Sequence, residues 1–180
     1  FSAVGDMDAA AVNQALDTAL GAWRQPAGGK LPFVRIAQPL VTVKAERHLA
    51  PTPDKQNANL RATMALPLDD RDADFAALVM ANYLFGRGGS SRLWMRVREK
   101  DGLSYDVRSG LEWNPHEANS SFVMSAIFAP QNQPKVEAAI QEELARALAD
   151  GFTQQELDEA KAGLLNIRRL GRAQDAQLTA

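Results

Sequence analysis

The sequence predicts an α+β domain in which an antiparallel-rich sheet packs against paired helices, and three observations carry that prediction. Period-two alternation runs through 103–113, and after the turn-forming run Asn114-Pro115-His116-Glu117-Ala118-Asn119 the chain returns over 121–129 as an antiparallel partner strand. Period-3.6 apolar spacing marks helices before these strands and a pair of helices after them. An apolar content of 46% over 180 residues is enough for a substantial core and argues against disorder.

Taken in order, Phe1 to Asp6 reads as the last residues of a strand. Val12, Leu16, Ala19, Leu20 and Trp23 recur at helical spacing behind two possible caps, Asp6 and Asp8. Gln25-Pro26-Ala27-Gly28-Gly29-Lys30-Leu31-Pro32 breaks regular structure and predicts a linker. A strand is expected near 40–47, and a second over 58–66, where Leu60, Met64 and Leu66 interleave with Asn59, Arg61 and Thr63. Phe75, Leu78, Val79, Asn82 and Phe85 share one helical face, which runs into a glycine-serine turn. Ser90 or Ser91 is placed to cap the next helix, with Leu93, Trp94 and Val97 on its buried side. In the strand that follows, period two puts Leu103, Tyr105, Val107, Ser109, Leu111 and Trp113 on one face. Val136, Ile140, Leu144 and Ala147 line one closing helix, and Leu157, Ala160 and Leu164 the other. Thr153 and Glu156 have capping-box spacing at the start of the latter. The expected division is thus 1–24 as the end of a preceding strand-helix unit, 25–39 as linker, and 40–180 as the α+β domain. Both ends read as truncations.

Composition narrows the function classes. With 20 basic and 22 acidic residues the net charge is −2, so nothing pulls the chain globally toward nucleic acid or an anionic membrane. The absence of cysteine removes disulfides and thiolate chemistry together. No apolar run approaches the ~20 residues of a membrane span. The start carries neither the basic region nor the apolar stretch of a signal peptide.

Three sets of residues are candidates for chemistry. The two histidines, His48 and His116, fall on separate expected loops, outside any H-x-x-E-H or H-E-x-x-H array, so no metal site is expected in this chain. The run Gly86-Arg87-Gly88-Gly89-Ser90-Ser91 follows a helix rather than a strand and has no G-K-[ST]. It reads as a helix-turn-helix link rather than a phosphate cradle. Arg98 and Tyr105 lie seven residues apart across a helix-to-strand corner. An arginine offers a planar fork of donors, and a tyrosine offers a rigid ring with a polar tip. Together they can hold a peptide carbonyl or an oxyanion. On spacing alone the ordinary roles are preferred, Arg98 at a helix C-terminus and Tyr105 in sheet packing. Asp69, Asp70, Asp72 and Asp74 read as the solvated start of a helix.

Gly88-Gly89-Ser90-Ser91-Arg92-Leu93, followed by Arg98-Glu99 and Gly102-Leu103-Ser104-Tyr105, resembles the C-terminal-domain signature of the pitrilysin/insulinase-type zinc metallopeptidases, a superfamily that includes the mitochondrial processing peptidases. Val4-Gly5-Asp6, Gln56 to Leu66, and Pro134 to Leu164 extend the resemblance over nearly the whole chain. It implies two homologous α+β domains facing each other across a substrate chamber. Zinc and the general base belong to the N-terminal domain, or to a partner subunit, and lie outside this chain. Arg98 and Tyr105 correspond to the residues that grip the peptide substrate, so the resemblance turns an ordinary pair into expected substrate contacts. Bacterial members often work as exported or envelope peptidases, so the periplasm or cell envelope is preferred and the cytoplasm is the alternative. Two functions follow: the substrate-binding domain of a zinc endopeptidase, or a non-catalytic assembly subunit of the core-protein type. Retention of Arg98 and Tyr105 favours the first.

Overall fold

A computed structural model describes residues 1–24 and 34–178. The chain divides into two compact units, Ala37–Gly163 and the combination of Phe1–Ile36 with Leu164–Ala180.

The larger unit is built on a three-stranded sheet of β1 (Ala58–Leu66), β2 (Ser104–Glu112) and β3 (Ser120–Phe128), in the order β1-β3-β2. Both pairings are antiparallel, with Ala58 opposite Phe128 and Leu66 opposite Ser120 on one side, and Val107 opposite Ala126 on the other. β3 is central because the turn after β2 returns it alongside, leaving its far edge for β1. Helix α2 (Phe75–Asn82) continues as a π-helical turn, Tyr83–Arg87. A second π-helical segment, Trp94–Lys100, leads into β2. Helices α3 (Gln133–Asp150) and α4 (Gln154–Gly171) follow β3.

The core joins sheet and helices through Phe85, Leu93, Val97, Val107, Ala126, Phe128, Val136, Ala139 and Ile140, all buried. The π-helical turn after α2 approaches β2 so closely at Gly86 that a Cβ there would stand 2.5 Å from the Ser109 nitrogen. Beside that contact the Ser109 hydroxyl donates to Asn82 Oδ1 at 2.7 Å, so the oxygen of this buried amide is paired. Gly151 ends α3 at φ +66°, a left-handed value that glycine adopts without a Cβ clash. The capping box then starts α4: the Thr153 amide donates to Glu156 Oε2 at 2.7 Å, and the Glu156 amide donates to Thr153 Oγ1 at 3.2 Å.

In the other unit, α1 (Ala9–Leu20) is capped by Asp8, whose Oδ1 accepts from the Ala10 and Ala11 amides at 2.8 and 3.3 Å. Asp6 plays no such part, and Trp23 falls beyond the helix end. A short helix, α5 (Asp175–Leu178), lies near the C-terminus.

Several expectations need correction. Residues 1–6 form no strand, nor do 40–47. Alternation makes a strand only where a neighbour completes the hydrogen-bond ladder. The segment leading into 40–47 is held instead by side chains. The Gln38 amide donates to Glu117 Oε2 at 2.5 Å, Asn119 Nδ2 donates to the Gln38 carbonyl at 2.9 Å, and Arg47 pairs with Glu137 at 2.8 Å. Most of the proline-glycine linker, 25–33, lies outside the described residues. Ser91 does not cap with its side chain, because its buried hydroxyl has no hydrogen-bond partner while its carbonyl accepts from Met95 at 2.9 Å. The last correction concerns β2. Val107, Ser109 and Leu111 are buried together as expected, but Tyr105 is 80% exposed.

Candidate functional site

The exposure of Tyr105 has a local cause. Ser104 pairs with Phe128 and Asp106 with Ile127, so two steps on β2 oppose one on β3, and Tyr105 is the extra residue of a β-bulge. A bulge adds one residue and reverses the side-chain alternation on one side of it. Ser104 therefore turns in and Tyr105 turns out. The buried Ser104 hydroxyl lies 2.8 Å from both the Asp106 and the Ile127 carbonyl oxygens, tying the bulged backbone across to β3.

Arg98 approaches this bulge from the π-helical segment. At its end the Gly102 amide donates to the Arg98 carbonyl at 3.1 Å and the Leu103 amide to the Val97 carbonyl at 2.9 Å. Gly102 takes φ +61°, where a side chain would be strained, and the chain turns sharply from helix to strand. That corner brings the two sequence-predicted residues together: Arg98 Nη1 donates to the Tyr105 carbonyl at 3.2 Å. The guanidinium Cζ also lies over the Trp94 ring, 4.1 Å from its centroid, and Nε stands 3.8 Å from Glu99 Oε1. The Arg98 side chain stays 43% exposed. Guanidinium N–H donors lie in the plane of the group, so an arginine stacked by its face keeps its edge for carbonyl or carboxylate oxygens.

Arg92, from the same motif, is placed very differently. Its Nε and Nη2 donate to the two carboxylate oxygens of Glu156 at 2.7 and 2.9 Å, and Nη2 also donates to the Gly151 carbonyl at 2.9 Å. Cζ sits 4.5 Å above the Phe152 ring. The hydrogen bonds from Arg92, ahead of partial desolvation, hold the Glu156 carboxyl down at about 2, and those to Glu156 push the Arg92 guanidinium up. This arginine fastens the start of the second π-helical segment to the α3–α4 corner. Arg96 is likewise engaged, pairing with Asp101 and with Glu142 at 3.0 Å.

The remaining candidates do not converge on this corner. His48 pairs with Glu46 at 3.0 Å, and the His116 amide donates to Asn114 within its turn at 3.0 Å. Asp69, Asp72 and Asp74 lie in the turn before α2, with Asp69 paired to Arg71. The described residues hold no group of three or more His, Cys, Asp or Glu placed to bind a metal ion. No helix among them is long and apolar enough to cross a membrane. Two residues of the corner have no site role in the sequence reading, which puts Trp94 on the buried side of its helix; it is instead half-buried and outside the core cluster. Trp94 stands four positions before Arg98, a spacing that signals a side-chain pair on a helix. Ser104 carries no comparable signal, since a bulge depends on how two strands pair.

A family model described as the peptidase M16 inactive domain matches residues 1–164. The chain belongs to that family, and corresponds to the C-terminal half of an insulinase-like peptidase. Among solved structures, the peptidase M16 inactive domain from Pseudomonas fluorescens is 31% identical with a TM-score of 0.57, covering 69% of this chain and 29% of that one. A protease from Helicobacter pylori shares the fold at a TM-score of 0.73 and 18% identity, covering 97% of this chain and 42% of that one. The periplasmic protease PqqL from Escherichia coli does so at 0.59 and 22% identity, covering 98% and 19%. The chain thus spans less than half the length of each. No curated protein sequence matches it.

Proposed function

We propose that this chain is the substrate-binding, non-zinc-binding C-terminal domain of a zinc-dependent endopeptidase that hydrolyses peptides in a closed chamber. The observation that carries the reading is the meeting of Arg98 and Tyr105 at one open corner, with the tyrosine turned outward by a bulge. Bulges gather beside active sites, where they re-aim a side chain. In this reading the guanidinium edge donates to a substrate carbonyl, more strongly as negative charge develops on that oxygen. The Tyr105 ring lies against the peptide and its hydroxyl adds one bond.

The described residues do not fit a zinc ion, so no step through the metal is derived from them. A homologous N-terminal domain or partner subunit supplies zinc, which when bound activates water and polarises the scissile carbonyl. Residues 1–24 are then the end of a preceding unit, and 40–180 the C-terminal-type domain. The match to a periplasmic protease supports a place in the periplasm or cell envelope.

Arg98→Ala in the complete peptidase tests the reading. It should lower kcat/KM by roughly 10²–10³, the scale of losing one transition-state donor. Melting temperature should stay within a few degrees, because an exposed side chain contributes little to the core. Normal turnover in the folded variant overturns the assignment. Lack of any chelator-sensitive peptidase activity in the complete wild-type protein would favour a non-catalytic assembly subunit instead.

A further inference from the structure

We infer that Trp94 is a positioning residue for Arg98, holding the guanidinium by its face so that the in-plane N–H edge is presented to a peptide carbonyl. The inference rests on the substrate-binding role proposed above for Arg98.

Three contacts orient the guanidinium, and they act from different directions. Cζ lies over the Trp94 ring at 4.1 Å from its centroid, the Tyr105 carbonyl takes one N–H of its edge at 3.2 Å, and Glu99 stands off Nε at 3.8 Å. The Tyr105 bond fixes one point of the plane but leaves rotation about it. The Glu99 contact is long and exposed, so it is weak. The indole face is the element that sets the tilt of the plane. Cation–π attraction acts through the ring quadrupole, normal to the guanidinium, and therefore does not compete with hydrogen bonds made in that plane. A long arginine side chain otherwise samples many rotamers, and holding one before substrate arrives lowers the ordering cost of binding.

The placement of Trp94 fits this role better than a core role. On the same π-helical segment Val97 is fully buried, as is the preceding Leu93, whereas Trp94 is half-buried and stands apart from the core cluster that both of them join. The large ring thus serves the rim of the domain, under Arg98. A leucine at the same position would keep apolar area and helical preference while losing the quadrupole, which makes it the informative substitution.

Two measurements test this. In the chain itself, the Arg98 Hε and Hδ resonances should be shifted upfield by the indole ring current. Trp94→Leu should abolish that shift, and Trp94→Phe should retain part of it. In the complete peptidase, Trp94→Leu should lower kcat/KM roughly threefold to fivefold, the scale of an exposed cation–π contact, with Trp94→Phe closer to wild type. In an Arg98→Ala background the same Trp94→Leu change should alter kcat/KM by no more than about 1.5-fold, because its effect acts through Arg98. Equal losses in both backgrounds overturn the inference, as does an unshifted Arg98 or a Trp94→Leu enzyme as active as wild type. Trp94→Met serves the same comparison if the leucine variant does not fold. An Arg98→Ala enzyme of normal activity instead sinks the substrate-binding role itself, and so separates the two failures.

Discussion

Arg92 and Arg98 stand six residues apart in one motif, yet the fold uses them in different ways. Arg92 is 16% exposed, and its bidentate partner Glu156, its carbonyl partner Gly151 and its ring partner Phe152 all come from the α3–α4 corner. Arg98 is 43% exposed and, among the described residues, its hydrogen-bond, ionic and ring partners come from its own helix-to-strand corner. The first arginine joins segments distant in the sequence, so its interactions are part of the folded state. The second keeps a solvent-facing side, so it can serve an external partner. Residue type alone does not separate the two roles; the number and origin of the partners do.

Substituting each arginine in turn is the sharpest way to break this comparison. Arg92→Ala should destabilise the domain by about 2–3 kcal/mol, because Glu156 loses a partly buried ionic partner and the Gly151 carbonyl loses a donor. For a chain of this size that is a fall of roughly 5–10 °C in melting temperature. Activity of the complete peptidase should fall only as folded protein is lost. Arg98→Ala should show the opposite pattern of kept stability and lost turnover. Similar melting-temperature losses for both would erase the distinction between the two arginines.

A smaller effect should appear on acidification. Glu156 is held down to about 2 from an ordinary 4.5, first by the Arg92 hydrogen bonds. A depressed carboxyl contributes stability that is fully present above its unfolded value and is lost as pH falls through the folded one. The loss should therefore begin below 4.5 and run on toward 2. Allowing for solvent screening of a side chain 32% exposed, the contribution is about 2 kcal/mol. Denaturant midpoints measured from pH 5 down to pH 2.5 should fall less steeply in Glu156→Gln than in wild type. Parallel slopes would show that the pair carries no such linkage.

Tyr105 should give the mildest change. Tyr105→Phe keeps the ring and removes one hydroxyl, so kcat/KM should fall by no more than about tenfold. Tyr105→Ala should cost more, since it also removes the ring that the proposed function lays against the peptide. Neither should move the melting temperature much, because the side chain is 80% exposed. If the phenylalanine variant is as impaired as the alanine one, the hydroxyl rather than the ring makes the essential contact.

Much of the secondary structure was legible in the sequence because it follows from short-range periodicity. The strand expected over 58–66 is β1 residue for residue, and the Thr153–Glu156 box caps α4. The helical face from Phe75 to Phe85 was also legible, since three- and four-residue spacing stacks side chains one above another. Adjacency of Arg98 and Tyr105 was foreseeable too, as both flank one tight corner. The expected strand over 40–47 was not met, because alternation supplies one face of a strand and no partner for its edge.

By itself the sequence determined the α+β class, the helix-to-strand corner and the motif that places the chain in the peptidase M16 inactive-domain family. These rest on residues close together along the chain, whose spacing constrains dihedrals and side-chain direction directly. Only the tertiary structure decided that Tyr105 turns outward, that Ser104 ties its bulge to β3, and that Arg92 belongs to Glu156, 64 residues away. A bulge arises from the mismatch between two paired strands. A distant ion pair exists only once packing has brought two helical segments together and removed much of the water between them. No local pattern encodes either event, because each depends on what the rest of the fold brings alongside.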